Sequence, residues 1–161
     1  MKSGQFTIEF VVVLALFLTV LATVSIPLYN NSRDTAEQSK IMMDAREAAN
    51  RLASQIDSAY SGGIGTSRQA RYWLPGEVTK IESGSIDDEL TVELTLDIKE
   101  TKTVRVDTQL PADWNDRVNL NQIETNENRQ LHETVIRFIE NEDLDDKGLM
   151  ISFSDKLIEV E

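Results

Sequence analysis

The sequence predicts an α+β chain, with one long hydrophobic amino-terminal helix followed by a small antiparallel, β-rich head. Three features predict it. Phe10 to Leu28 is an apolar run without a charged side chain; apolar residues then recur at helical spacing to Tyr60; and beyond Gly62-Gly63 the period falls to two, as in Leu90–Leu96. The boundaries that follow are a leader over 1–4, a helix over 5–60 and a head over 61–161. The helix itself divides into an apolar part, 5–28, and an amphipathic extension, 29–60.

As a helix rising about 1.5 Å per residue, Phe10–Leu28 reaches roughly 28 Å, close to the hydrocarbon thickness of a bilayer. A cleaved secretory signal, a single-pass anchor and a helix retained for assembly all begin this way. A secretory signal has a basic start, an apolar core of about 7–15 residues and a small-residue cleavage site after it. Here the run is longer, only Lys2 precedes it, and no Ala-x-Ala follows, which disfavours removal of the whole segment. Glu9 stands at the edge of the run. A carboxylate at that depth is costly unless paired, although the headgroup level and the helix dipole also suit it. A cut between Gly4 and Gln5 would place the new α-amine of Gln5 four residues before Glu9, and pairing would lower the cost of both charges. Near the outer end, Pro27 predicts a kink or local loosening, because proline removes a backbone donor and crowds the preceding turn. Asn30-Asn31-Ser32 is the glycosylation sequon, with Asn30 as its acceptor, close to the apolar run on a predicted helix.

The stretch Lys2-Ser3-Gly4-Gln5-Phe6-Thr7-Ile8-Glu9-Phe10 resembles the class III signal peptide of archaeal type IV pilins. That pattern is a short basic leader ending in Gly, then Gln, a hydroxyl residue two places on, an acid two further, and an apolar helix. Gly4, Gln5, Thr7 and Glu9 fill those places. The similarity covers the leader and the apolar helix. It implies cleavage between Gly4 and Gln5 by a membrane prepilin peptidase on the cytoplasmic side, so that the helix stays with the mature chain. It further implies a precursor held in the cell membrane, then extraction by a pilus assembly ATPase and its platform protein into an extracellular surface filament. The subunit, a major or minor pilin, would meet its own copies or co-pilins through the amino-terminal helix, with the amine of Gln5 and Glu9 bridging neighbours. Packed pilin helices are bent or melted in the neighbourhood of Pro27. The leader departs from the pattern in holding a single Lys. Archaellins lack the acid at the place of Glu9, so the resemblance implies adhesion-type pili rather than the rotary filament. The alternative is a single-pass, membrane-anchored extracellular binding protein that does not polymerise.

Along the extension, Ile41, Ala45, Ala48, Leu52, Ile56 and Ala59 step by three and four and draw one apolar stripe. Asp44, Arg46, Glu47 and Arg51 fall off it. The stripe suits either the underside of the head or a helix–helix contact in a filament, and the two uses can divide it. Gly62-Gly63 ends the helix, since glycine accepts a left-handed C-cap.

In the head, Leu90, Val92, Leu94 and Leu96 alternate with polar residues, and Val104 and Val106 continue the pattern after a polar turn at Ile98–Lys102, so the pair predicts a hairpin. Tyr72–Leu74 and Val78–Ile81 predict further short strands. Leu149–Phe153 and Leu157–Val160 predict a final hairpin joined around Ser154-Asp155. Asn115–Gln130 is polar and predicts a loop or lobe, while Leu131–Ile139 fits a strand, by its β-branched content, or a helix.

Composition removes several function classes. With no cysteine among 161 residues, disulfides and thiolate chemistry are excluded. A net charge of -12, without Lys/Arg clusters, argues against nucleic acid as a partner. His132 is the sole histidine, leaving little from which to build a Ser-His-acid site, so the expectation is a structural protein with no enzymatic activity and no cofactor. No metal site is expected either: Glu140–Gly148 gathers oxygens without the spacing of a twelve-residue calcium loop and reads as an acidic turn. Ser61–Ser67 is glycine-rich but lacks the Lys of a phosphate cradle and follows a helix rather than preceding one. Trp73 and Trp114 read as core or rim aromatics before sugar platforms.

Overall fold

The computed structural model describes residues 3–120, 123, 125, 128–141 and 148–158. Helix α1 runs from Ser3 to Gly62 and continues through Pro27. Six strands follow: β1 (Ser67–Leu74), β2 (Val78–Ile86), β3 (Glu89–Ile98), β4 (Glu100–Pro111), β5 (Gln130–Asn141) and β6 (Gly148–Ile158), with a 3-10 turn at Ala112–Arg117 before β5. The α+β layout predicted from the sequence is therefore the one found. The chain divides into two compact units between Ser39 and Lys40.

Within the second unit the described strands form two three-stranded antiparallel sheets, β1-β5-β6 and β2-β3-β4. The second sheet is a local meander. The first is not local, since β1 pairs with β5 from Ser67↔Arg137 to Leu74↔Gln130. At the helix end, Gly63 adopts φ +80 and its N–H donates to the Tyr60 carbonyl at 3.1 Å, as a left-handed C-cap requires. Gly65, also left-handed at φ +88, donates to the Phe138 carbonyl at 2.8 Å, so the joint is pinned to β5.

The amphipathic stripe covers the head. Ala45, Ala48, Leu52, Ile56 and Ala59 are buried, joined by Ala49 and Ala53, in one cluster with Leu90, Leu94, Leu96 and Ile136. Alanine at these points lets the helix approach closely, and each fully buried Leu or Ile contributes about 1.5–3 kcal/mol of burial. Ile41 is only partly buried against that cluster. The predicted off-stripe residues Arg46, Glu47 and Arg51 are exposed, while Asp44 is half-buried.

Three details differ from the sequence expectation. The β3–β4 reversal is confined to Lys99, at φ +53, because Thr101 and Lys102 pair with Asp97 and Leu96 instead of forming a turn. Leu149 to Ile158 is one strand, not a hairpin, paired without a break to β5. Asp155 lies opposite Thr134, whose hydroxyl donates to it at 2.6 Å, while His132 Nδ1 lies 2.7 Å from the other carboxylate oxygen. Of the polar pair that imitates a turn in sequence, Asp155 thus faces inward while Ser154 is exposed; Val160 lies outside the described residues. The Asn115–Gln130 lobe is anchored by buried apolar groups, Val118, Leu120 and Ile123, following Trp114 at its start. Trp114 packs edge-on against Tyr60 with ring centroids 5.1 Å apart. Leu131–Ile139, open between strand and helix, belongs to β5, with His132, Thr134, Ile136 and Phe138 alternating inward. The acidic turn at Glu140–Gly148 lies mostly outside the described residues.

Two outcomes follow for stability. Leu52→Ala should lower the unfolding free energy of the head by about 2–5 kcal/mol, whereas Leu16→Ala, at a site 62% exposed, should leave it within about 0.5 kcal/mol. Urea titration followed by tryptophan fluorescence separates them, and equal shifts would show that the stripe is not the head's core. Half-buried Asp57 accepts the Gln109 N–H at 2.8 Å. Burial raises its pKa above the ordinary 3.8, and the Gln109 hydrogen bond acts the other way. A raised folded-state pKa gives stability that is fully present below pH 3.8 and is lost as pH rises through the folded value. Asp57→Asn keeps an acceptor for Gln109 and should remove that decline. Urea midpoints between roughly pH 3 and 7 test this, and wild-type and variant curves running parallel would refute it.

Candidate functional site

The first unit carries the predicted site, and its character comes from what α1 leaves uncovered. From Ile8 to Tyr29 the large apolar side chains expose between 44% (Leu14) and 70% (Tyr29) of their surface. They occupy every face of the helix, so no single stripe can turn inward as it does beyond Lys40. This segment is long and apolar enough to cross a membrane, and none of its apolar window is buried. An exposed apolar surface of this extent in one chain calls for cover from lipid or from another protein.

Its few polar groups are handled locally. The Thr19 hydroxyl donates to the Ala15 carbonyl at 2.8 Å and that of Thr23 to the Thr19 carbonyl at 2.7 Å. Such back-bonding satisfies hydroxyls without water, as a hydrocarbon environment demands. Pro27 offers no N–H to the Thr23 carbonyl, which leaves that turn one hydrogen bond short while the helix continues.

The predicted residues fall along one element. Gly4 and Gln5 lie in the first turn of α1, so the bond between them is helical in this chain. Glu9 is exposed one turn later, and no charged side chain follows until Arg33. Pro27 and the exposed Asn30 mark the far end of the apolar segment. Gly4, Gln5 and Glu9 are neighbours within two turns, whereas Pro27 and Asn30 lie far along the same helix, so the residues do not gather into one site.

The head holds a polar group that sequence reasoning missed. His132 Nδ1 and the Thr134 hydroxyl both meet Asp155; the Tyr72 hydroxyl lies 2.8 Å from Thr134, and the Tyr72 ring stacks on His132 at 5.6 Å. The side chains of His132 and Asp155 are 1% and 4% exposed. Burial pushes the Tyr72 phenol well above its ordinary pKa, against the pull of the Thr134 hydrogen bond. His132 Nε2 is also buried, with no hydrogen-bond partner among the described residues. The pair is buried, and together with Tyr72 and Thr134 it ties β1, β5 and β6 to one another. Its sequence signal is the inward phase that His132 and Thr134 share with Ile136 and Phe138. Among the described residues no group of His, Asp or Glu is arranged to hold a metal ion.

No protein-family model matches the chain, and neither a curated protein nor a solved structure is similar to it.

Proposed function

We propose that this chain is a structural subunit of an archaeal type IV pilus-like surface filament, held in the cell membrane before assembly and used in adhesion. The observation that carries the proposal is the helix from Ile8 to Tyr29, apolar on every face and uncovered within the chain. Directly before it stands Lys2-Ser3-Gly4-Gln5-Phe6-Thr7-Ile8-Glu9. Lipid covers the helix in the precursor, and neighbouring helices cover it in the filament. Two environments in succession explain a surface uniformly apolar rather than striped.

A prepilin peptidase removes residues 1–4, and the assembly ATPase and platform protein draw the mature chain from the bilayer. In the filament the α-amine of Gln5 pairs with Glu9 of a neighbour, since two lone charges in a low-dielectric bundle are tolerated only together. The loosened turn at Pro27 lets the helix adjust between lipid and helix packing. Asn30, just beyond the apolar segment, is the candidate for glycosylation. The head remains outside and supplies adhesion, with no reaction to catalyse.

The mature amino terminus decides between filament subunit and simple anchor. Mass spectrometry of the protein from native membranes should find a chain beginning at Gln5. Glu9→Ala and Glu9→Gln should leave the membrane-bound amount unchanged while reducing filament yield at least tenfold, about 1.4 kcal/mol of subunit affinity. A chain retaining Met1, or filaments formed normally by both variants, would reject the filament proposal and favour an anchored binding protein.

A further inference from the structure

We propose that the head carries two complementary sheet faces, one basic and one acidic, through which a second copy of the chain packs head to tail. Both faces lie within residues 40–161. The contact goes beyond the filament reading, since it requires neither cleavage at Gly4 nor pairing of α1 with a neighbour.

Each sheet turns one side to the common core and the other outward. In β1-β5-β6 the buried side holds Tyr72, His132, Ile136 and Ile151. Alternation along the strands then sets Arg71, Glu133, Arg137 and Lys156 on the outward side. In β2-β3-β4 the buried side holds Ile81, Leu94, Leu96 and Val104. Its outward side carries Lys80 and Arg105 against Glu82, Glu89, Glu93, Asp97 and Asp107.

Several of these charges are already used within their own sheet. Arg71 Nη2 lies 2.6 Å from Glu133, Arg105 Nε lies 2.9 Å from Glu93, and Lys80 pairs with Glu82. The other arginines beside Trp73 are used too, Arg51 by Glu47 and Arg129 by Asp44. Among the described residues this leaves Arg137 and Lys156 on one face, and Glu89, Asp97 and Asp107 on the other, all exposed. Glu133 stands opposite Lys156 as well as Arg71, but one carboxylate neutralises only one of them. The first face therefore keeps a positive excess on a chain of net charge -12, and the second keeps a negative one.

Screening decides what such a face responds to. At about 0.1 M salt the Debye length is about 10 Å, so a face feels the one opposed to it more than the charge of the whole chain. Two lone cations are too few for an anionic membrane or a nucleic acid, which draw on clusters of Lys and Arg. The other sheet of an identical chain supplies the matching sign. Such a contact is heterologous, with the basic face of one copy on the acidic face of the next.

The order of features along the strands matches as well. On the basic face, Trp73, Leu131 and Ile158 form one cross-strand row; the row of Lys156 lies two residues along β5, and Arg137 four further. On the acidic face, Ile86 and Pro111 flank Glu89; the row of Asp107 lies two residues along β3, and Asp97 six further. Trp73 and Ile86, 42% and 39% exposed, mark corresponding ends. Lys156 of one copy then lies against Asp107 of the next, and Arg137 against Asp97. The remaining offset of two residues is about 7 Å, which a flexible arginine stem spans. Exposed pairs are individually weak, so the contact orients neighbouring heads more than it binds them.

Sedimentation equilibrium of the full chain in a zwitterionic detergent reads this contact. At about 0.1 M salt the protein should associate as its concentration rises. At about 1 M, where the Debye length falls to about 3 Å, association should weaken about fivefold or more. Reversing the basic face, by Arg137→Glu with Lys156→Glu, should weaken it as much at the lower salt. Reversing the acidic face, by Asp97→Lys with Asp107→Lys, should do the same. Mixed in equal amounts, the two reversed variants should associate again, because each offers the other a face of opposite sign. Circular dichroism should show both folded, and recovery on mixing is a readout that mere loss of structure cannot produce. No association at about 0.1 M salt, or association indifferent to salt and so attributable to α1, would overturn the proposal. Reversed variants that associate like the wild type, or that fail to recover when mixed, would overturn it too.

Discussion

Alanine occupies the positions of α1 that lie deepest in the head, at Ala45, Ala48, Ala49, Ala53 and Ala59, with Leu52 and Ile56 between them. Small side chains and the two larger ones are buried together in one cluster with residues of all six strands. Every strand of the head depends on that contact. Three-stranded sheets with one apolar face are marginal until something covers that face, and the covering element here is helical. The same helix, continued toward its amino terminus, keeps its apolar composition but has no partner within the chain. One helix therefore poses two burial problems, one of them solved internally. The other must be solved by something outside the molecule.

Topology sets how the head closes. The meander β2-β3-β4 is made of neighbours in sequence, turned at Asp87-Asp88 with φ of 50° and 66° and at Lys99. Positive φ at both central residues is the geometry of a tight hairpin, and aspartate tolerates it better than most side chains. The other sheet must bring β1 to β5 across 62 residues, as in the Arg71–Glu133 pair. Pairings of that span are slow to find and costly in loop entropy. Once found, they are fixed by the buried group of Tyr72, Thr134, Asp155 and His132, which links β1, β5 and β6. A buried polar network fits only one register, because a slipped strand would leave its members without partners.

What could be read from the sequence follows from how local the cause is. The apolar run, the stripe, the alternation of β3 and the glycine C-cap each result from neighbours within a few residues, and all are found. Ser154-Asp155 has the composition of a turn, yet Asp155 is explained by His132 and Thr134 about twenty residues upstream. Leu131–Ile139 stays ambiguous in sequence because its strand character comes from standing between β1 and β6. The two charged sheet faces are the extreme case, since Arg137 and Lys156, or Asp97 and Asp107, share a face only once their strands are paired. The processing motif is the opposite: Gly4, Gln5 and Glu9 are legible only as a pattern, and their placement along one helix adds no geometry of its own.

Charge limits where assembly energy can come from. Heads on a chain of net charge -12 repel one another, and this repulsion is screened beyond about 8 Å at physiological salt. Contacts between such heads therefore gain little from electrostatics unless a basic feature meets an acidic one, and the arginines around Trp73 are largely engaged with Glu47, Asp44 and Glu133. The apolar side chains from Ile8 to Leu28 are different, since their burial does not depend on salt and grows with the area covered, at roughly 25 cal/mol per Å². In the filament proposed above, cohesion between copies would then reside in α1, and most of the head would be left free to vary its surface. The alanines from Ala45 onward already serve the head, so substitutions between Ile8 and Leu28 leave its core untouched.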